Sequence, residues 1–407
     1  MKYFLKCCNC GHVIAELSDW FGQRQFCPNC GGRRVEAVYS TDYSRLKDLL
    51  NSASTSFWHY FDFLPLENRE NIVSFNEGAV PLEEWHFLSR YAADNYGVNC
   101  RVFAYRNDLN GGTNTLKDVA ASMTASVLKE NGIRQFCTSS TGNSATAYAR
   151  YMATAGIRFT NFAPATTNRE TIDEIRLYGQ DAVISAGDYA QAKKEAADFA
   201  EKNSVLMSIG NIDPMRVESK RTMVFEFLRQ LGKMPDVYMQ AVAGGTGPIA
   251  LDKGFREIAG HKDEITDLPE AVKLPRMLLV QQDLCDPMVQ AWEKAVNEGF
   301  PDNFENDYPV ISNPQTSVFI LSAGNPGMYP IVARIVKKSG GDFIRIKEAA
   351  LPEYAHIVRN EKNIRIGPAA TVCFAGFYQA LAEKRIYDGE TVVINIGESG
   401  KRYPDFG

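Results

Sequence analysis

Lys117 stands where a lysine is electrostatically out of place. The stretch NGGTNTLKDVAASM (residues 110–123) runs from glycine and polar residues into an apolar helical pattern. Leu116, Ala120, Met123 and Val127 recur at spacings of three and four, which marks one apolar helix face. Thr115 and Asp118 have the spacing of a capping box, so the helix is expected to start at Thr115 with Lys117 in its first turn. The positive end of the helix dipole, with partial burial, disfavours the ammonium form there and lowers its pKa. An uncharged amine is a nucleophile, and one use of it is a Schiff base with a carbonyl compound. The competing reading is an exposed lysine on an ordinary helix, since lysine is a good helix former.

Two further loops bear on that choice. DVYMQAVAGGTGPIALDKGF (236–255) has an apolar strand, then Gly244, Gly245, Thr246 and Gly247, then Pro248 at the opening of a helix. Glycines let a backbone approach an anion, with amides aimed at it, and proline suits a first helical turn. The turn is neither GxGxxG nor a Walker loop, and a plain tight turn is the alternative. CTSSTGNSATAYARYMATAGI (137–157) puts Ser140, Thr141, Gly142, Asn143 and Ser144 between a strand and a helix. Small hydroxyls and free amides at a helix start suit a carboxylate, and equally an ordinary cap. An amine, a phosphate cradle and a carboxylate site together are what an amino acid bound to pyridoxal phosphate requires.

Nine cysteines stand in 407 residues, and five of them fall in the first thirty. Cys7-x-x-Cys10 and Cys27-x-x-Cys30, sixteen residues apart, match the spacing of a zinc ribbon, each pair on a turn ending in Gly11 or Gly31. Spacing leaves iron open beside zinc, and Cys8 or His12 is a substitute ligand. Cys100, Cys137, Cys285 and Cys373 read as core thiols of a reducing compartment, with an approach of Cys137 to a cofactor as the sharper alternative. No apolar run reaches the roughly 18 residues that span a bilayer, and the N-terminal apolar stretch is short for a secretory signal. A net charge of −5 argues against a general nucleic-acid footprint. The expected location is cytoplasmic, with neither membrane nor nucleic acid as partner.

The elements that must position these residues alternate. RVFAY, RQFCTSS, DAVIS, DVYMQAV and MLLVQQ read as strands, each followed by a stretch of helical period, which predicts an α/β protein with mostly parallel sheets. Polar stretches near 262–275 and 300–315 read as surface excursions. The expected organisation is a ribbon module over residues 1–40, a large α/β domain over 41–97 and 206–407, and a smaller α/β domain over 98–205 that carries the lysine and asparagine loops.

From about residue 56 onward the chain resembles the threonine synthases, within the fold-type II (tryptophan synthase β-like) pyridoxal-phosphate enzymes. FWHYFDFLP is similar to an aromatic stretch ahead of the first domain, FNEGAVPL to EGxTPL, TNTLKDV to the lysine motif GSFKDR and SSTGNSA to SSGNT. DPMRVESKRT is similar to NPxRxExxKT, and AGGTGP falls where that family has its phosphate loop. Some members also carry an N-terminal metal ribbon. The resemblance implies two α/β domains with open twisted sheets, a Schiff base at Lys117, and the cofactor phosphate on Gly244, Gly245, Thr246 and Gly247. It places Asn143 near the cofactor's phenolic oxygen and Ser140, Thr141 and Ser144 near the substrate carboxylate. In VVINIGESGKRY, similar to the related cysteine synthases, Ser399 or the adjacent Glu398 would face the pyridine nitrogen.

Three departures stand out: Val119 replaces an arginine, Val80 a threonine and Asp213 an asparagine. In the family those positions lie in or near the substrate pocket, so their change puts a phosphorylated side chain in doubt. Arg216 is retained, and Arg150 is a possible replacement cation. The resemblance implies elimination and replacement on an activated amino acid: O-phosphohomoserine and water to threonine, or a β-replacement such as cysteate synthesis from O-phosphoserine and sulfite. A non-catalytic ribbon protein is the reading from another class. A homodimer is usual for the family.

Overall fold

The structure is a computed structural model that describes residues 2–265, 273–404 and 406. Thirteen strands form among the described residues: β1 (Tyr3–Cys7), β2 (Val13–Ile14), β3 (Val35–Tyr39), β4 (Leu82–Glu84), β5 (Arg101–Tyr105), β6 (Gln135–Ser139), β7 (Arg158–Pro164), β8 (Asp181–Ser185), β9 (Leu206–Met207), β10 (Val237–Ala241), β11 (Arg276–Gln282), β12 (Asp342–Ile346) and β13 (Thr391–Asn395). Five helices concern the site: α1 (Lys117–Glu130), α2 (Asn143–Ala155), α3 (Pro214–Leu231), α4 (Thr246–Gly260) and α5 (Pro368–Ala382). All five strands expected from the β-rich runs are present.

The chain folds as two units. One comprises Met1–Ala79, Asn110–Met223 and His261–Thr266. It holds an antiparallel ribbon sheet, order β2-β1-β3, and a parallel four-stranded sheet, order β8-β7-β6-β9. The other comprises Val80–Leu109, Val224–Gly260 and Asp267–Gly407 and holds a six-stranded sheet, order β12-β11-β10-β13-β5-β4. Only the β4–β5 pair of that sheet is antiparallel. Parallel strands are covered on both faces and therefore read as continuous apolar runs. β13 (TVVIN) is buried along its whole length for this reason.

In the first unit the ribbon is not a bead on a string. Tyr3, Leu5, Trp20, Val35 and Ala37 share one apolar cluster with Val119, Met123 and Val127 of α1 and Met215 of α3. In the second unit β10 and β13 lie side by side with Met239 opposite Ile394, so the segments that follow them leave from one edge of the sheet. Ligands of open parallel sheets bind beyond the carboxyl ends of the strands. Of the stretch 262–275, residues 266–272 lie outside the described residues. The stretch 300–315 is mostly exposed and is anchored by buried Phe304. No helix among the described residues is long and apolar enough to cross a membrane.

Candidate active site

The turn ahead of α1 is built around Asp118. Its Oδ1 accepts the Thr113 N–H and hydroxyl, each at 2.8 Å, and its Oδ2 accepts the Thr115 N–H at 2.8 Å. Thr115 Oγ1 in turn accepts the Lys117 N–H at 3.1 Å. Asp118 thus closes its half of the capping box, while the Thr115 hydroxyl takes the Lys117 N–H and the Asp118 N–H goes to the Thr115 carbonyl; regular helix starts at Lys117, because Thr115 and Leu116 form the turn that enters it. Burial pushes the Asp118 carboxyl up to about 7, against those three donors. Two glycines make the turn possible. A Cβ at Gly111 would lie 1.7 Å from the Phe75 carbonyl oxygen, and one at Gly112, where φ is +83°, would meet Tyr151 and Asp118. Asn110 ties the turn down: its Oδ1 accepts the Gly78 N–H at 2.7 Å and its Nδ2 donates to the Thr115 carbonyl. Lys117 is half-buried at the head of the helix.

Asp213 and Pro214 open α3. Asp213 is fully buried, and its Oδ1 accepts the Met215 N–H at 3.1 Å, a capping role that asparagine fills equally well. Burial pushes this carboxyl up to about 6, opposed chiefly by the charge of Arg216. At about 100° per residue, Asp213, Arg216 and Lys220 fall within about 60° of one another around the helix, and Glu218 and Arg221 lie on the far side. The far side faces the ribbon. Glu218 accepts the Ala37 N–H at 2.9 Å and the Tyr39 hydroxyl at 2.8 Å, and pairs with Arg221, which also donates to the Phe63 carbonyl. On the near side Arg216 is 9 % and Lys220 1 % exposed. Among the described residues, no hydrogen bond or ion pair engages either cationic head. Lys220 did not stand out in the sequence, because a lysine on a helix that is buried all round carries no periodic signal.

Ser140, Thr141 and Gly142 connect β6 to α2, and Asn143 and Ser144 form the first residues of α2. Asn143 is buried and begins α2, while Ser140, Thr141 and Ser144 are half-buried. Arg150 is otherwise engaged. Its guanidinium donates to the Gly112 carbonyl and lies 4.4 Å over the Phe75 ring, so it props the lysine turn. Val119 belongs to the core shared with the ribbon, which removes it from the pocket that the resemblance implied. Cys137 is a core thiol, pushed up to about 12 by burial.

In the second unit residues 242–245, ending in Gly244 and Gly245, connect β10 to α4, whose first two residues are Thr246 and Gly247. The helix begins at Thr246, so Pro248 falls inside its first turn, not at its opening. Gly245 has φ +90°, and a Cβ there would lie 2.4 Å from Val332 Cγ2; a Cβ on Gly247 would lie 2.2 Å from Gln240 Oε1. Residues 398 and 399 follow β13 at the same sheet edge. Glu398 is buried, and its Oε1 accepts the Ala369 N–H at 2.7 Å at the start of α5 while its Oε2 accepts the Tyr403 hydroxyl. Ser399 Oγ accepts the Lys401 N–H at 3.4 Å. Val80 is buried, with its carbonyl accepting from Gln230 Nε2.

At the ribbon, the sulfurs of Cys7, Cys10, Cys27 and Cys30 all lie within 4.8 Å of one another. Cys7–Cys30 and Cys10–Cys27 are 3.7 and 3.6 Å apart. A tetrahedral ion with bonds of about 2.3 Å needs sulfur–sulfur edges of about 3.8 Å. Gly11 and Gly31, both at positive φ, return their N–H groups to the Cys7 and Cys27 carbonyls and shape each turn.

Comparison with known proteins agrees with this arrangement. A family model described as pyridoxal-phosphate dependent enzyme matches residues 73–397. The threonine synthase of Methanocaldococcus jannaschii is 25% identical over 92% of this chain and 88% of its own length. That of Methanosarcina acetivorans is 26% identical over 96% and 90%. The processed form of threonine deaminase isoform 2 from Solanum lycopersicum superposes with a TM-score of 0.63 at 18% identity, covering 86% of this chain and 87% of that one.

Proposed function

The chain belongs to the pyridoxal-phosphate-dependent enzyme family, and from that premise we propose that it carries out elimination and replacement on an O-phosphorylated amino acid, O-phosphohomoserine and water giving threonine and phosphate. Family membership sets aside the reading as a non-catalytic ribbon protein. The residues present fit the cofactor: an amine opens a helix on a tied-down turn, and two glycines keep open a cradle that a Cβ would fill. Bound pyridoxal phosphate supplies an electron sink for the charge left when the α-proton departs.

The rest falls to the protein. Lys117 would hold the cofactor aldehyde, and its Nζ would be the base that moves the substrate's α-proton. The amides of Gly245, Thr246 and Gly247 hold the cofactor phosphate. Asn143 would face the cofactor's ring oxygen, and Ser140, Thr141 and Ser144 would orient the substrate carboxylate. Arg216 takes the side-chain anion. Ser399 is the better partner for the pyridine nitrogen, because the Glu398 carboxylate is already held by Ala369 and Tyr403. Cys7, Cys10, Cys27 and Cys30 hold zinc, which metal analysis at one ion per chain with no visible iron band would support.

The observation that carries this reading is the half-buried Lys117 at the head of α1, together with buried Arg216 in the same unit. Two of the three departures that favoured β-replacement lose force, since Val119 shares a cluster with the ribbon and Asp213 caps α3 as the family's asparagine would. Purified enzyme with O-phosphohomoserine should release phosphate and threonine. Release only from O-phosphoserine with sulfite would establish the β-replacement reading instead. Lys117→Ala should lose the absorbance band of the lysine-bound cofactor and at least about 10²-fold in turnover; a band that survives would refute the assignment.

A further inference from the structure

The resemblance does not account for Lys220, which occupies an unspecified position of the NPxRxExxKT pattern. Its side chain is buried one helical turn from Arg216, and among the described residues no carboxylate lies within ion-pairing distance of its amine. Two like charges at i and i+4 repel, and a buried charge without a partner is costly. Asp213, the acid on the same face, answers one of the two cations and is already engaged with the Met215 N–H. Lys117 is close enough for its own positive charge to bear on Lys220. Three basic groups thus share this corner with one carboxylate, an arrangement that a bound anion would complete.

We propose that Lys220 and Arg216 together form the subsite for the phosphoryl group of the substrate's side chain, with Lys220 setting the preference for phosphorylated over unphosphorylated amino acids. A dianion answers two cations, and a charge-assisted contact is short and strong when desolvated. Burial first, then the charges of Lys117 and Arg216, push the Lys220 amine well below its ordinary range, so the subsite holds its full charge only with the anion in place. The inference rests on Lys117 being the cofactor's amine, since that places the substrate beside it.

The test uses the holoenzyme, as wild type, Lys220→Met and Lys220→Gln. Binding of O-phosphohomoserine and of homoserine is measured by calorimetry, and the cofactor absorbance band is recorded for each protein. The expected result is a rise of at least about tenfold in the dissociation constant for O-phosphohomoserine in both variants, with homoserine binding and the cofactor band unchanged. In wild type, inorganic phosphate should compete with O-phosphohomoserine and not with homoserine. Unchanged phospho-substrate affinity with an intact band would overturn the proposal, as would lost turnover with unchanged affinity, which marks Lys220 as a proton-transfer group. Absence of phosphate competition in wild type would overturn it even if both variants misfold. Absence of the band in wild type would instead overturn the reading of Lys117.

Discussion

A carboxyl buried at a helix start can serve two ends, and Asp213 shows the cost of combining them. It caps α3 and lends its charge to Arg216, yet burial raises its folded pKa from 3.8 to about 6. A raised folded value means that its contribution to stability is fully present below the unfolded pKa and is lost as pH rises through about 6. Asn, the residue of the family pattern, can accept the same Met215 N–H without titrating. Asp213→Asn should therefore gain stability relative to wild type between pH 4 and pH 7, by up to about 3 kcal/mol. Urea unfolding across that range would check it, and a gap that narrows with rising pH would contradict the assignment. Asp118, raised to about 7, titrates in the same window, so the difference between the two proteins is the informative quantity.

At the level of elements, what the chain announced and what it concealed follow from periodicity. Strands such as RVFAY and DAVIS were legible because they are short β-branched or aromatic runs between turn residues, and the helix behind Lys117 because its apolar face repeats. Loops after strands were legible from glycine and small hydroxyls. Concealed were the roles of residues on helices buried all round. Arg216, Glu218, Lys220 and Arg221 look alike in sequence, and only the ribbon on one face of α3 separates them. The surroundings of Arg150 were hidden for a related reason: its partners, Gly112 and Phe75, lie on distant segments. The glycine turn makes a sharper claim. Gly245→Ala would force a Cβ against Val332 at positive φ, which alone costs about 1–2 kcal/mol. Cofactor affinity, read by titrating apo-enzyme and following absorbance, should fall at least about fivefold. Gly260→Ala, with open space around it, should not change it.

For the whole molecule, the ribbon is structural support for α3, the helix that carries Arg216 and Lys220. Glu218 and Arg221 form an ion pair with no exposure, completed by the backbone of β3 and the Tyr39 hydroxyl. Removing one partner leaves a buried charge uncompensated, so Glu218→Ala should destabilise the protein by about 3–5 kcal/mol. Metal removal acts on the same contact from the other end. Cys27→Ser, or a strong chelator, should loosen β3 and raise the dissociation constant for the phosphorylated substrate as well as lower the melting temperature. Normal substrate affinity in a metal-free, folded enzyme would show that ribbon and site are uncoupled.

Because the ribbon strands and α1 share one hydrophobic cluster, the ribbon should have no melting transition of its own. Its amides should exchange with solvent as slowly as those of the lysine-bearing helix, and both sets should open in a single cooperative event. Proteases that clip ordinary tethered modules would find no native intermediate here, so an oxidised or demetallated ribbon would commit the entire first unit to unfolding.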